Sequence, residues 1–387
     1  MFIQICRQSS NVNPDDEAIR TKQSYFPGLF RKLLVKPMFP HVLIVMPVYN
    51  EARCIRQTLG AALDQDYPAG LIEIIVADGG STDGTRQVIQ ELQANHPNLH
   101  LIDNPGKIVP TGLNAALLQG NGDIIVRVDG HTVIAPDYVR QCVETLHSSG
   151  ADNVGGRMRA NGQGRFGEAV AHATSSSFGV GGSRFHYSDE EEWVDTVYLG
   201  AWRRETFRRI GFFDEELVRD QDDEFNYRLR EQGGKILLTP RIQSRYTVRS
   251  KPRTLWRQYF QYGFWKVRVL QKHPLQMRPR QFVPPIFVGI LMAGGLGAFF
   301  SPLSRALFAL VLGSYLLANL AASAWTASQR GWRHLALLPL AYTILHFSYG
   351  LGFLVGLVKF ANRWDDKHGR VPKITFHSEG SPVRLEP

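Results

Sequence analysis

The chain reads as an α/β protein with a doubly wound, mostly parallel sheet followed by transmembrane helices, and three observations carry that reading. Short apolar, β-branched runs alternate with helical patterns between Val42 and Val128, as in a parallel sheet with crossover helices. One run, Ile124 to Val128, delivers Asp129 and His131 at its end, where open α/β sheets bind ligands and where both side chains could ligate a metal. Three long apolar runs then fill the C-terminal third.

Val42–Met46 is the first strand and Glu51–Leu63 the first helix; Ile72–Val76 and Gly84–Ala94 repeat the pair. Leu99–Ile102, Thr111–Leu118 and Ile124–Val128 complete the alternation. The region 150–235 is less regular. Gly155-Gly156, the glycines from 179 to 182 and the acidic run 189–192 predict loops around a site, while Gly200–Ile210 and Asp220–Gln232 read as helices.

The apolar runs are Phe282–Phe300, Ala306–Trp325 and Leu335–Val358, free of Asp and Glu and each about as long as a membrane-crossing helix. Three crossings would put the tail opposite the N-terminal domain, yet Lys359, Arg363, Lys367 and Arg370 favour a cytoplasmic tail. A partial insertion of the first run, interrupted by Pro284-Pro285, leaves two crossings and reconciles the charges. The expected organisation is a tail (1–40), a catalytic domain (41–245), a basic amphipathic segment (246–281), two to three spans (282–360) and a tail (361–387).

Charge supports a membrane. The chain of 387 residues carries a net charge of +9, and ten Lys and Arg lie between Arg245 and Arg280. No Asp or Glu occurs from Lys235 to Trp364. A basic block beside apolar runs marks a cytoplasmic membrane flank and sets aside nucleic acid as a partner. Leu255, Trp256, Tyr259, Phe260 and Phe264 recur near helical spacing among these cations, as on an interfacial helix or a stripe packed on the catalytic domain. Leu29–Leu34 offers a second short membrane contact, and no cleavable signal peptide is visible. Cys6, Cys54 and Cys142 are widely spaced, implying neither a disulfide framework nor a zinc site.

Short polar residues and glycines follow the first two strands: Pro47-Val48-Tyr49-Asn50-Glu51, and Asp78-Gly79-Gly80-Ser81-Thr82-Asp83-Gly84-Thr85. They let backbone approach a ligand and supply acceptors for ribose hydroxyls and a base N–H; Ser81 or Asp83 can also cap the next helix. No G-x-G-x-x-G follows a strand, and Gly106-Lys107 precedes Ile108 where a P-loop needs Ser or Thr, which argues against dehydrogenase and ATPase readings.

These motifs, with Asn104–Asn114, Gly211-Phe212-Phe213-Asp214-Glu215 and Gln221-Asp222-Asp223-Glu224, resemble the family 2 glycosyltransferases of GT-A, Rossmann-like fold. The likeness runs from about Val42 to Gly234. Within the family the chain is similar to the ExoA-like transferases of bacterial succinoglycan biosynthesis, on Asp129-Gly130-His131, Val194-Asp195-Thr196-Val197, Gly200-Ala201-Trp202-Arg203-Arg204 and the C-terminal apolar helices. The resemblance implies that Pro47, Tyr49 and Glu51 line the nucleoside site, that Asp78 accepts from uracil, and that Asp129 and His131 hold a divalent cation against the diphosphate. Many members have Asp where His131 stands; imidazole suits Mn²⁺ better than Mg²⁺. Asp222 aligns with the general base of inverting members, although acidic residues in the first turn of a helix also complement its dipole. Lys107 is positioned to reach phosphate, with Arg203 and Arg228 as weaker candidates.

The implied function is transfer of a hexose, glucose by preference, from a UDP-sugar to a lipid-linked saccharide at a bacterial cytoplasmic membrane. Exopolysaccharide assembly proteins would be partners. Transfer to polyprenyl phosphate and processive synthesis are rivals. Gln261 and Trp265 keep the spacing of the synthases' Q-x-x-R-W motif, but Phe264 replaces its arginine, favouring single transfer. An inactive membrane scaffold would have no need of Asp78, Asp129, His131 and Asp222 together.

Overall fold

The structure, a computed structural model, describes residues 39–372. The expected N-terminal tail, with Leu29–Leu34 and Cys6, lies outside the described residues, as does the chain beyond Pro372. The order of elements is β1 (Val42–Val48), α1 (Ile55–Leu63), β2 (Ile72–Asp78), α2 (Thr85–Gln93), β3 (Leu99–Asp103), α3 (Val109–Gln119), β4 (Ile124–Arg127) and β5 (Thr132–Ile134). Then come α4 (Tyr138–Ser149), β6 (Asn153–Asn161), α5 (Gly164–Thr174), α6 (Ser177–Val180), β7 (Glu192–Trp193), β8 (Tyr198–Arg203), α7 (Arg204–Ile210), α8 (Gln221–Glu231) and β9 (Ile236–Thr247). The C-terminal part is helical: α9 (Pro252–Lys272), α10 (Val283–Gly297), α11 (Pro302–Arg330) and α12 (Leu338–Lys359).

Strand β1 shows why the N-terminal half folds as expected. All seven of its residues are buried. Val42, Ile44, Met46 and Val48 join one apolar cluster with Ile55 and Leu59 of α1, whereas Leu43 and Val45 join a second with Leu113 of α3 and Phe225 of α8. Period-two alternation thus feeds two layers of helices, and a strand covered on both faces needs a continuous apolar run.

The sheet runs β3-β2-β1-β4-β8-β6-β9-β5, with β7 paired to β9. The pairs among β1 to β4 are parallel, as is β6·β9. The pairs β4·β8, β6·β8, β5·β9 and β7·β9 are antiparallel. The α/β class holds, but the parallel order belongs chiefly to the first half.

Two expectations of the irregular region are corrected. Gly200–Arg203 is strand rather than helix; it pairs with β4 and β6 and buries Trp202, so α7 begins only at Arg204. Gly155-Gly156 lies inside β6 rather than in a loop. A Cβ on Gly156 would stand 1.6 Å from the Ile242 carbonyl oxygen, so the close approach of β9 requires glycine there.

Helices α11 and α12 are the two described helices long and apolar enough to cross a membrane. Helix α10, of 15 residues, spans about 22 Å at ~1.5 Å per residue, short of a ~30 Å hydrocarbon core. The first apolar run therefore forms a helix too short to cross, and three full crossings are not supported. Leu296, Phe299, Phe300, Leu303 and Leu317 stand exposed on α10, α11 and the turn between them, an apolar surface that marks membrane or partner contact.

The C-terminal part of the basic helix α9 is packed inside the protein, while Arg253, Trp256 and Arg257 in its first turns are exposed. Lys266, Arg268 and Lys272 are buried and pair with acids of the catalytic half. Lys266 meets Asp220 at 3.1 Å and also Asp223, Arg268 meets Glu216 at 2.8 Å, and Lys272 meets Asp214 and, at 2.7 Å, Glu216. On its other side α9 touches α12 through glycines. A Cβ on Gly263 would lie 2.0 Å from the Tyr349 carbonyl oxygen, and one on Gly352 would lie 2.0 Å from that of Phe260.

After α12 the chain returns to the catalytic half. Arg363 pairs with Glu216 at 2.6 Å, the Arg370 amide donates to Asp214 at 2.8 Å, and the Glu215 amide donates to the Arg370 carbonyl at 2.9 Å. The far end of α12 thus lies beside the N-terminal half.

Candidate active site

The site begins where β1, β2 and β4 end. Asn50, at φ +56°, ties the first two loops together: its amide donates to Ser81 Oγ at 2.8 Å, and its Oδ1 accepts from the Thr82 amide at 2.8 Å. The Glu51 amide donates to Thr85 Oγ1 at 2.8 Å. This bracing leaves Tyr49 55% exposed at the mouth of a cavity of about 1520 Å³. Pro47, Tyr49, Glu51, Lys107, Asp129, His131 and Asp222 all line that cavity. Seven of the eight residues singled out from the sequence are thereby brought together.

The eighth, Asp78, lies behind the wall. Its buried carboxylate accepts from the Gly80 and Ser81 amides, from Ser81 Oγ at 2.5 Å and from Arg86 Nη1 at 2.9 Å. Burial alone would raise its pKa, but the hydrogen bonds from Ser81 and Arg86 outweigh it and hold the carboxyl below its ordinary value. Arg86 also bridges to Asp103 at 2.8 Å.

Asp129 and His131 are engaged by protein groups. Arg127 donates through Nε to Asp129 Oδ1 at 2.8 Å and through Nη2 to Oδ2 at 3.2 Å. Burial pushes the Asp129 carboxyl up, yet Arg127 overcomes this and keeps it below the usual range. His131 Nδ1 lies 3.0 Å from Glu51 Oε1, and its ring packs edge-on to Tyr246. Among the described residues no three His, Cys, Asp or Glu converge on one point. A carboxylate and an imidazole facing one cavity do fit a cation whose remaining ligands are phosphate oxygens and water.

Asp222 sits in the first turn of α8, its side chain 36% exposed to the cavity. Its carboxyl is raised by burial; Arg127 opposes the rise and Asp223 reinforces it. Asp220, just before the helix, takes φ +61° and is pushed by burial up to about 7 despite Lys266.

Arg127 was quoted in the strand motif without a role, and it is the residue that sequence reasoning missed. It is 5% exposed, its Nη1 lies 3.8 Å from Asp222 Oδ2, and that nitrogen has no hydrogen-bond partner. The signal was present: two residues before Asp129 on a strand, it points to the same face. The weaker candidates are corrected. Arg203 donates to the Ala151 carbonyl at 2.8 Å and Arg228 pairs with Glu224 at 2.8 Å, and neither lines the cavity.

The opposite wall comes from the helical part. Phe287 of α10, Leu310 and Val311 of α11, and Leu345 of α12 line the same cavity as Asp129 and Asp222. It therefore joins a polar end at the strand termini to an apolar end among the C-terminal helices.

Comparison with known proteins agrees with this architecture. Residues 43–211 match the glycosyl transferase family 2 sequence model. The chain is 30% identical over 327 residues to the succinoglycan biosynthesis protein ExoA of Rhizobium meliloti, covering 83% of this chain and 96% of that one. It is 27% identical over 326 residues, 82% of this chain and 97% of the relative, to a dolichyl N-acetyl-α-D-glucosaminyl phosphate 3-β-D-2,3-diacetamido-2,3-dideoxy-β-D-glucuronosyltransferase of Methanococcus voltae. In fold it is similar to a mannosyltransferase from Pyrobaculum calidifontis solved with GDP-Man and Mn²⁺, with a TM-score of 0.54 at 21% identity over 80% of this chain and 88% of that one. The chain has the GT-A fold and belongs to the family 2 glycosyltransferases.

Proposed function

We propose that this glycosyltransferase is an inverting enzyme anchored in a bacterial cytoplasmic membrane, transferring a hexose, glucose in our reading, from a UDP-sugar to a lipid-linked saccharide in exopolysaccharide synthesis. The observation that carries the proposal is the single cavity shared by Asp129, His131, Lys107 and Asp222 at one end and by Phe287, Leu310 and Leu345 at the other. A donor diphosphate suits the first end and a lipid-borne acceptor the second. The Methanococcus voltae relative, named for a dolichyl-linked substrate, supports a lipid-borne acceptor, and the Rhizobium meliloti relative, named for succinoglycan biosynthesis, supports the polysaccharide context.

Tyr49 and Glu51 flank the nucleoside, and Asp78, buried behind them with its oxygens held by the Gly80 and Ser81 amides and Arg86, braces the loop on which the base rests. Lys107, whose φ of +57° presents it at the cavity, offsets phosphate charge. Asp129 and His131 would hold a divalent cation, Mn²⁺ in preference to Mg²⁺, which supplies Lewis-acid stabilisation of the departing diphosphate. Glu51 holds His131 by Nδ1 and so leaves Nε2 for that cation.

Asp222 then takes the proton of the acceptor hydroxyl. The hydroxyl oxygen bonds to the anomeric carbon as its bond to the phosphate oxygen breaks, and UDP leaves with that electron pair on the opposite face. A carboxyl raised above its ordinary value is a better base for this late proton transfer than an unperturbed one.

The catalytic half and both ends of the α11–α12 pair lie on the cytoplasmic side in this account. Membranes containing the enzyme, given lipid extract and a panel of UDP-sugars, should release UDP with one sugar only, in a metal- and lipid-dependent manner. Release that needs no lipid would overturn the acceptor assignment.

A further inference from the structure

A second cavity, of about 750 Å³, shares only Arg280 with the first. Its wall carries Arg184, Arg230, Lys235, Arg278 and Arg280 against two carboxylates, Glu192 and Asp195, leaving three positive charges in excess. The carboxylates are already taken: Glu192 by Arg184 at 2.7 Å, and Asp195 by Arg280 at 2.6 Å with Arg278 at 3.5 Å. Arg230 has a buried Nη1 atom with no hydrogen-bond partner. A buried guanidinium N–H left unpaired is costly, and no carboxylate in the wall remains to pair with Arg230. Nothing in the transfer reaction uses this cavity.

We propose that the second cavity binds a phosphate group, supplied in the membrane by an anionic phospholipid headgroup. Guanidinium forks match phosphate oxygens in pairs, and Arg230 and Lys235 form no ion pair among the described residues, while Arg278 reaches Asp195 only at 3.5 Å. Arg278 and Arg280 immediately precede α10, whose apolar run begins at Val283, so the cavity opens where the chain turns from polar to apolar. Trp193, 55% exposed beneath the Lys235 ammonium at 5.8 Å, suits the headgroup layer, where amphipathic rings settle. Basic pockets beside membrane helices on the cytoplasmic face bind anionic headgroups by this physics. The lipid source rests on the membrane reading above; the phosphate chemistry does not.

The purified full-length protein in a neutral detergent should be titrated with dihexanoyl phosphatidylglycerol, dihexanoyl phosphatidylcholine and inorganic phosphate, with binding followed by calorimetry. The glycerol lipid is expected to bind saturably and roughly tenfold or more tighter than the choline lipid. The double variant Arg230→Gln/Arg278→Gln should lose that preference while keeping the wild-type melting temperature. Asp222→Asn should leave lipid binding unchanged, so failure of the transferase mechanism and failure of this site are separable. Inorganic phosphate binding that the double variant abolishes, without preference between the lipids, would overturn the lipid source and keep the phosphate site. Equal binding of every probe by wild type and double variant would overturn the site itself.

Discussion

Arg127 lies between Asp129 and Asp222, with Nε 2.8 Å from the first carboxylate and Nη1 3.8 Å from the second. It is the cation that lets these two carboxylates share one cavity, lowering the pKa of each. Arg127→Gln should cost about 3 kcal/mol of stability, the scale for removing one partner of a buried ion pair. Added Mn²⁺ with UDP should recover part of the loss, because the cation replaces the missing charge. Thermal denaturation with and without Mn²⁺ and UDP checks both statements; a variant as stable as wild type would remove the structural role.

His131 sets the choice of cation in this account. His131→Asp should move the preference from Mn²⁺ towards Mg²⁺, since oxygen ligands suit the harder ion. UDP affinity measured at matched free concentrations of each metal reads this without turnover. An unchanged preference would release His131 from the ligand set.

Asp220 gives a pH signature. Its pKa is raised by burial to about 7 from a model-peptide value near 4, so between those limits the folded state binds the extra proton. Stability from this group is full below pH ~4, falls as pH rises, and is lost above pH ~7. In a pH series of melting temperatures, Asp220→Asn should gain on wild type as pH climbs from 4 to 7. A constant difference across that window would contradict the shift.

The contact of Gly352 with Phe260 couples α12 to α9. Gly352→Leu should force these helices apart and destabilise the protein by about 1–3 kcal/mol or more, the usual scale of overpacking. Loss of catalysis should accompany it, because α9 carries Lys266 to Asp220 and Asp223. Melting temperature and UDP release on the same preparation test the coupling; a neutral substitution would refute it.

The strands up to Val128 were legible because burial on both faces writes itself as continuous β-branched runs, as in Val42–Val48. Strands β6 and β8 were not, because glycines such as Gly155, Gly156 and Gly200 answer to the strands and side chains packed on them rather than to local pattern. The acidic cluster around Asp222 was visible, but its partner Lys266 lies 43 positions away from Asp223 on a helix that reads as membrane-facing. The basic count near that helix was likewise real, and its direction was not: Arg268 and Lys272 turn inward to Glu216 and Asp214. Pairing across such separations is set by packing, which composition does not record.

In the proposed mechanism Asp222 is the base of the transfer and has no part in holding the nucleotide. The most direct measurement is turnover and UDP affinity of Asp222→Asn in membranes with lipid extract, the matching UDP-sugar and Mn²⁺. Turnover should fall by about 10²–10⁴, the range of a general base, with Mn²⁺-dependent UDP binding unchanged. Retained turnover would contradict the account.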